Sequence, residues 1–340
     1  MTPLFLGLSG PVLTADEIAL FREYDPAGYI LFARNCVDPD QMLALTDALR
    51  DHAQRDLPIL IDQEGGRVAR MKPPVWAEFP PAARFGALYD SAPITAIEAA
   101  RLNALVLALT LRDAGVSVDC LPLLDVRSAQ GHDIIGDRSY GDEPMRVAAL
   151  GKATLDGLRA GGVIGVVKHI PGHGRAKVDS HLALPVVDAS RDELAADFAP
   201  FRSLRTAPMA MTAHIVYSAL DPDHCATLSA EVIGETIRRD IGFDGLLMSD
   251  DLGMKALGGT FAERTTGCLA AGCDIALHCS GDFAEMTEVA AAAGTISHEA
   301  TARLCAAMLW VDRRPDRQAR CAAGVWLMIS MPRFVASPTR

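Results

Sequence analysis

Eight short apolar runs alternate with longer segments of helical period, and no other feature of this chain limits its fold as strongly. The runs are Leu4–Leu8, Tyr29–Phe32, Pro58–Ile61, Val116–Leu121, Ile164–Lys168, Met209–His214, Gly245–Ser249 and Asp274–His278. They carry β-branched residues and end in polar ones, as strands do. Between them lie Ala/Leu-rich amphipathic stretches: Ala15–Glu23, Pro39–Arg55, Thr95–Asp113, Pro144–Arg159, Arg191–Leu204, Ala230–Asp240, Thr260–Ala271 and Phe283–Ala293. Strong helix formers fill these segments. A strand–helix unit repeated eight times predicts an α/β fold, a TIM-type (β/α)8 barrel in a single domain. The 340 residues fit one such barrel, and an apolar half of the chain can build its core without disulfides or metals. No Pro/Gly/Ser-rich linker divides the sequence. The catalytic barrel is expected over 1–312, with 313–340 as a C-terminal helix or tail packed on it or extending from it.

The formal net charge of −11 repels phosphate backbones and anionic membrane surfaces, so neither nucleic acid nor membrane is expected as a partner. The short basic run Arg313, Arg314, Arg317 and Arg320 reads as a solvated helix end. Eight cysteines occur without a C-x-x-C pair, which suits small buried thiols in a reducing compartment. The opening MTPLFLGLSG lacks a basic n-region and reads as a first strand, and the late run CAAGVWLMISM is too short to span a bilayer. The expected location is the cytoplasm.

Polar residues follow the strand runs. Asp62-Gln63-Glu64-Gly65-Gly66-Arg67 comes after the third, Lys168-His169 after the fifth and Ser249-Asp250-Asp251 after the seventh. In a (β/α)8 barrel the C-terminal strand ends form the active-site face, where distant parts of the sequence converge. A strand interior would not tolerate such charges unpaired. This much predicts a barrel enzyme.

Three segments carry chemistry. In Lys168-His169-Ile170-Pro171-Gly172-His173-Gly174, continuing to Asp179-Ser180-His181, two glycines and a proline bar a helix and leave a long functional loop. Asp179 and His181 stand two apart, so the carboxylate can hold the imidazole Nδ1 and raise its basicity. The blander role for these histidines is to cap or pack the loop. In Phe243–Leu252 an apolar strand delivers two adjacent carboxylates whose side chains diverge, so that one enters the barrel mouth while the other braces the loop or caps the next helix. Asp250 is expected in the chemical role, since an ionised carboxylate there suits attack on an anomeric carbon, and Asp251 in the structural one. In Ile61–Arg70 paired glycines with flanking Asp and Arg suggest a loop that grips a polar ligand, and the G-K-[ST] ending of a phosphate loop is absent. The stretches Gly131-His132-Asp133 and Gly136–Gly141 read only as loops, with an internal Asp–Arg pair as the simplest account.

The ordered series DQEGGRVAR, GDRSYG, KHIPGHG, DSHLALP and FDGLLMSDDLGM resembles the family 3 glycoside hydrolases, in the branch of β-N-acetylglucosaminidases that recycle cell-wall peptidoglycan. The likeness covers about residues 1–300. It implies Asp250 as catalytic nucleophile and a mobile dyad of Asp179 and His181, with the histidine as general acid/base. It also implies a sugar held by Asp62, Arg70, Arg138, Lys168 and His169, no metal, no organic cofactor, and a monomer. Many β-glucosidases of that family add a second domain that contributes an acid/base Glu; at this length the acid is expected from the barrel itself. One departure stands out: where the family pattern has Asp-Thr after KHxPGHG, this chain has Arg175-Ala176, at the base of the dyad loop.

The expected reaction is a retaining double displacement that removes non-reducing terminal N-acetylglucosamine from peptidoglycan fragments (GlcNAc-anhydromuropeptides). Two other readings have a basis in the residues. One is a metal-dependent barrel hydrolase with His169, His173, His181 and Asp179 as ligands. The other is a sugar-binding protein without the chemistry.

Overall fold

The computed structural model describes residues 1–180 and 182–311. Every predicted strand run holds a strand: β1 (Thr2–Gly7), β2 (Pro26–Leu31), β3 (Ile59–Ile61), β4 (Val118–Asp119), β5 (Ile164–Ile170), β6 (Met209–Thr212), β7 (Leu246–Met248) and β8 (Ala276–His278). They form one parallel sheet in the order β8-β1-β2-β3-β4-β5-β6-β7. A parallel bridge between Met248 and Ile275 brings the last edge to the first, so the sheet curls into a barrel.

Side-chain parity explains what the barrel contains. Phe5, Ile30, Leu60, Ile164, Val166, Met209, Met211, Leu246, Met248 and Leu277 share one buried cluster, the barrel interior. Their alternate neighbours Leu4, Leu6, Tyr29, Leu31, Ile59, Ile61, Val167, Ala210, Leu247 and Ala276 belong to the layer under the helices. A period of two therefore carries the inward face onward from Leu60 to Asp62, from Val166 to Lys168 and from Met248 to Asp250.

The surrounding helices are α1 (Ala15–Tyr24), α2 (Pro39–Ala53), α3 (Ala82–Ser91), α4 (Pro93–Asp113), α5 (Pro144–Gly161), α6 (Arg191–Ser203), a π-helical segment Val232–Ile241, α7 (Phe261–Ala271), α8 (Phe283–Ala292) and α9 (His298–Met308). Their starts follow the capping rules: Thr14, Ser190 and Thr260 each form a capping box with the Glu three residues on. Helix α4 is long and apolar enough to cross a bilayer by composition alone, but it packs tightly on α5. A β-carbon on Gly157 would stand 2.1 Å from the Arg101 carbonyl, so only glycine permits that approach.

Helices α3 and α9 and the short strand pair Val186–Val187/Val216–Tyr217 were not anticipated. Pro80-Pro81 and Gly86 obscure the helical period of α3. Helix α9 sends Leu304 and Ala307 into the interior cluster and closes the N-terminal end of the barrel. The predicted tail 313–340 lies outside the described residues.

Candidate active site

The C-terminal strand ends enclose a cavity of about 260 Å³. Its lining includes Asp62, Glu64, Arg70, Arg138, Lys168, His169, His173 and Asp250, which contains six of the residues expected from sequence. Asp179 lies half-buried on the neighbouring loop and is not among the described lining residues, whereas the adjacent Ser180 is. His181, the expected acid/base, lies outside the described residues.

One side of the cavity is a buried charge network. Lys168 Nζ stands 2.8 Å from Asp62 Oδ1 and 2.7 Å from Glu64 Oε1. Arg70 Nη2 donates to Asp62 Oδ2 at 3.0 Å, and Arg138 grips both oxygens of Glu64 at 2.8 Å each. Burial alone would raise both carboxyl pKa values, but Lys168 and Arg70 hold Asp62 below the usual range, and Arg138 and Lys168 do the same for Glu64. Burial would likewise lower Lys168, yet the two carboxylates raise it. Two carboxylates and three cations leave a fixed, net positive wall of polar groups, suited to the hydroxyls of a neutral sugar.

A second cluster fixes the imidazoles. Asp125 Oδ2 lies 2.8 Å from His169 Nδ1, while its Oδ1 accepts the amides of His169 (3.1 Å) and His173 (2.7 Å). Against burial, His169 and then His173 bring the Asp125 pKa to about 2. This carboxylate fixes the orientation of the His169 ring through Nδ1. His173 is different: burial, aided by His169, lowers it to about 4, so the ring is neutral. Its Nε2 lies 3.2 Å from Ser180 Oγ, which attaches the Asp179–Ser180 segment to the loop base. Among the described residues no group of three His, Cys, Asp or Glu side chains converges as a metal site.

Asp250 follows β7 on its inward face. Its amide donates to Thr212 Oγ1 at 3.3 Å, and its Oδ1 accepts the Asp251 amide at 2.8 Å. Asp251 is structural, as expected, but it does not cap a helix. The next helix is α7, capped by Thr260. Asp251 Oδ1 instead accepts the amides of Gly253 (2.9 Å) and Cys279 (3.0 Å), bracing the β7 loop against β8. Nor do Asp137 and Arg138 pair with each other: Asp137 meets Arg67 at 2.9 Å and Arg138 reaches back to Glu64.

Sequence reading passed over Glu64 and Asp125. Glu64 lay inside a segment already singled out, but its partners are 74 and 104 positions away. Asp125 ends the apolar stretch CLPLLD, so the same strand-end argument that found Asp250 could have found it. The departure Arg175-Ala176 proves to be an anchor. Arg175 Nε donates to the buried Asp197 Oδ2 at 2.5 Å and Nη2 to the Glu193 carbonyl at 3.0 Å, tying the loop base to α6.

Comparison with known proteins agrees with this geometry. The glycosyl hydrolase family 3 N-terminal domain matches residues 12–308. The β-hexosaminidase of Alkalilimnicola ehrlichii is 39% identical over 285 residues, covering 82% of this chain and 80% of that protein. That of Xylella fastidiosa strain M23 is 37% identical over 283 residues, covering 81% and 83%. Native NagZ of Neisseria gonorrhoeae superposes with a TM-score of 0.85 at 32% identity, covering 97% of this chain and 98% of its own. A second structure of that NagZ, with the same TM-score, identity and coverage, holds N-trifluoroacetyl-D-glucosamine. On sequence, fold and the residues gathered at the barrel mouth, the chain belongs to glycosyl hydrolase family 3.

Proposed function

We propose that this protein is a retaining β-N-acetylglucosaminidase that removes non-reducing terminal N-acetylglucosamine from peptidoglycan fragments in the cytoplasm. The observation that carries the reading is the placing of Asp250 on the inward face of a barrel strand end, lining one cavity with Asp62, Arg138, Lys168 and His169. The β-hexosaminidase relatives and the NagZ complex with an N-acylated glucosamine support the substrate class. The seven described cysteines are free thiols, which suits a reducing compartment.

In this reading the charge network and His169 hold the sugar hydroxyls, and Asp250 attacks the anomeric carbon through an oxocarbenium-like transition state. His181, oriented by Asp179, protonates the leaving oxygen. It then takes a proton from the water that frees the sugar with retained configuration. An imidazole near its ordinary pKa serves as both acid and base around neutral pH.

The test is release of 4-nitrophenol from its β-N-acetylglucosaminide, with and without EDTA, beside the plain β-glucoside. Chelator-resistant turnover of the N-acetyl substrate alone is expected, and Asp250→Ala should abolish it. Activity lost to EDTA would move the histidines into a metal site, silence on both sugars would favour a binding protein, and an active Asp250→Ala would displace the nucleophile.

A further inference from the structure

Behind Asp250 lies a closed hydrogen-bond circuit that none of the sugar-binding groups joins. Thr212 ends β6, His214 follows it, and Thr227 sits in a 3-10 turn, Ala226–Leu228; all three are completely buried. The Asp250 amide donates to Thr212 Oγ1 (3.3 Å), which lies 2.8 Å from Thr227 Oγ1. Thr227 Oγ1 lies 2.7 Å from His214 Nδ1, and His214 Nε2 lies 3.0 Å from the Asp251 carbonyl oxygen. The circuit therefore starts at the amide of Asp250 and ends at the carbonyl of the next residue.

The acceptors determine where the protons sit. A carbonyl oxygen can only accept, so His214 Nε2 must carry a hydrogen. In the neutral ring Nδ1 then accepts from the Thr227 hydroxyl, at 2.7 Å a nearer partner than the Ala213 carbonyl at 3.2 Å. With its proton committed, Thr227 accepts from Thr212, and Thr212 accepts the Asp250 amide. Every bond in the chain is satisfied in one direction. Burial pushes His214 below the ordinary histidine pKa, with Asp250 and Asp251 opposing and His169 adding to the shift, which favours this neutral tautomer.

We infer that His214, relayed through Thr227 and Thr212, is a positioning residue for the nucleophile: it clamps the backbone on both sides of the Asp250 carboxylate and so sets the direction from which that carboxylate meets the anomeric carbon. The inference rests on the assignment of Asp250 as nucleophile. Local periodicity turns Asp250 inward, but a residue two positions beyond the last ladder pair, at Met248, is not held by the sheet. The circuit supplies that constraint, and displacement of a reacting atom by about 1 Å costs on the order of a hundredfold in rate.

The experiment is covalent trapping with 2-acetamido-2-deoxy-5-fluoro-β-glucosyl fluoride. A carboxylate oxygen forms the bond to C1 while fluoride leaves with the bonding pair, and peptide mass spectrometry locates the adduct. Label on Asp250 is expected in the parent and in each variant. Its rate should fall about tenfold in Thr227→Val and about a hundredfold in His214→Leu. His214→Gln, which keeps a donor near the Asp251 carbonyl, should recover part of the loss. Affinity for free N-acetylglucosamine should stay within about twofold, because the lost interaction acts on the transition state. Parent-rate labelling of Asp250 in both Thr227→Val and His214→Leu would overturn the positioning role. So would a slower rate matched by equally weakened sugar binding, which is the mark of a merely structural part. Label on a residue other than Asp250 would instead overturn the nucleophile assignment itself. Should His214→Leu not fold, Thr227→Val and His214→Gln decide the matter.

Discussion

At the scale of single residues, the site shows how buried charges become tools once each is paired. Lys168 is almost completely buried, yet it keeps its proton because Asp62 and Glu64 stand within 2.8 Å. Glu64 joins Lys168 to Arg138, so its charge is shared by two groups expected to touch the sugar. Replacing it with an amide removes one negative charge and leaves two cations close together with less compensation. Glu64→Gln is therefore expected to raise KM for the aryl N-acetylglucosaminide about tenfold or more, while still allowing Asp250 to be trapped by the fluorosugar. Steady-state kinetics check this, and an unchanged KM would show that Lys168 and Arg138 hold their places without the bridge.

At the scale of elements, the loop from Gly172 to Ser180 is held at its base and carries the dyad segment at its far end. Arg175 ties it to α6, the Ala176 carbonyl accepts the His132 amide at 2.7 Å, and His173 reaches Ser180. Arg175→Ala should loosen the part that carries Asp179 and His181 more than the sugar site. The expected result is a loss of about tenfold on natural disaccharides, which need a leaving-group acid, and a smaller loss on aryl glycosides with good leaving groups. Equal losses on both would count against a role for Arg175 in placing the acid. The α4–α5 contact is rigid in a different way, because backbone meets backbone there. Gly157→Ala should destabilise the barrel by about 1–3 kcal/mol in denaturant unfolding, with activity per folded molecule retained. A stability equal to the parent would mean that the two helices can part without cost.

For the whole molecule, the buried histidines and carboxylates give stability a definite dependence on pH. His173 has a folded pKa of about 4 against an unfolded value of about 6.5, so between these the unfolded chain binds a proton that the folded one does not. Stability from this group is present above the unfolded value and is lost as pH falls through the window. The lowered His214 acts in the same direction. Asp125, at about 2 when folded and about 3.9 when unfolded, adds a second loss at more acid pH. The melting temperature should therefore fall on acidification from pH 7, first from the histidines and then from the carboxylates. A His173→Phe variant that folds should show proton uptake on unfolding at pH 5 reduced by about one. An unreduced uptake would mean that His173 is charged in the folded protein.

What the sequence determined by itself was local and periodic. Short apolar runs rich in β-branched residues and ending in polar ones located all eight strands, and in the barrel Asp62, Lys168 and Asp250 continue the inward face because side-chain direction in a strand depends on parity. The motifs then predicted the family and the expected roles. What depends on closure of the barrel was not legible in this way. Glu64 meets Lys168 and Arg138, Asp125 meets His169 and His173, Arg175 meets Asp197, and Thr227 meets both Thr212 and His214. Those pairings follow from strand register, from barrel curvature and from the paths of loops that share no local pattern. Helix α9 was hidden for a related reason, since its apolar face matters only once there is an open barrel end to fill. Local sterics and hydrophobic period set which way a side chain points; only the assembled barrel decides what it meets there.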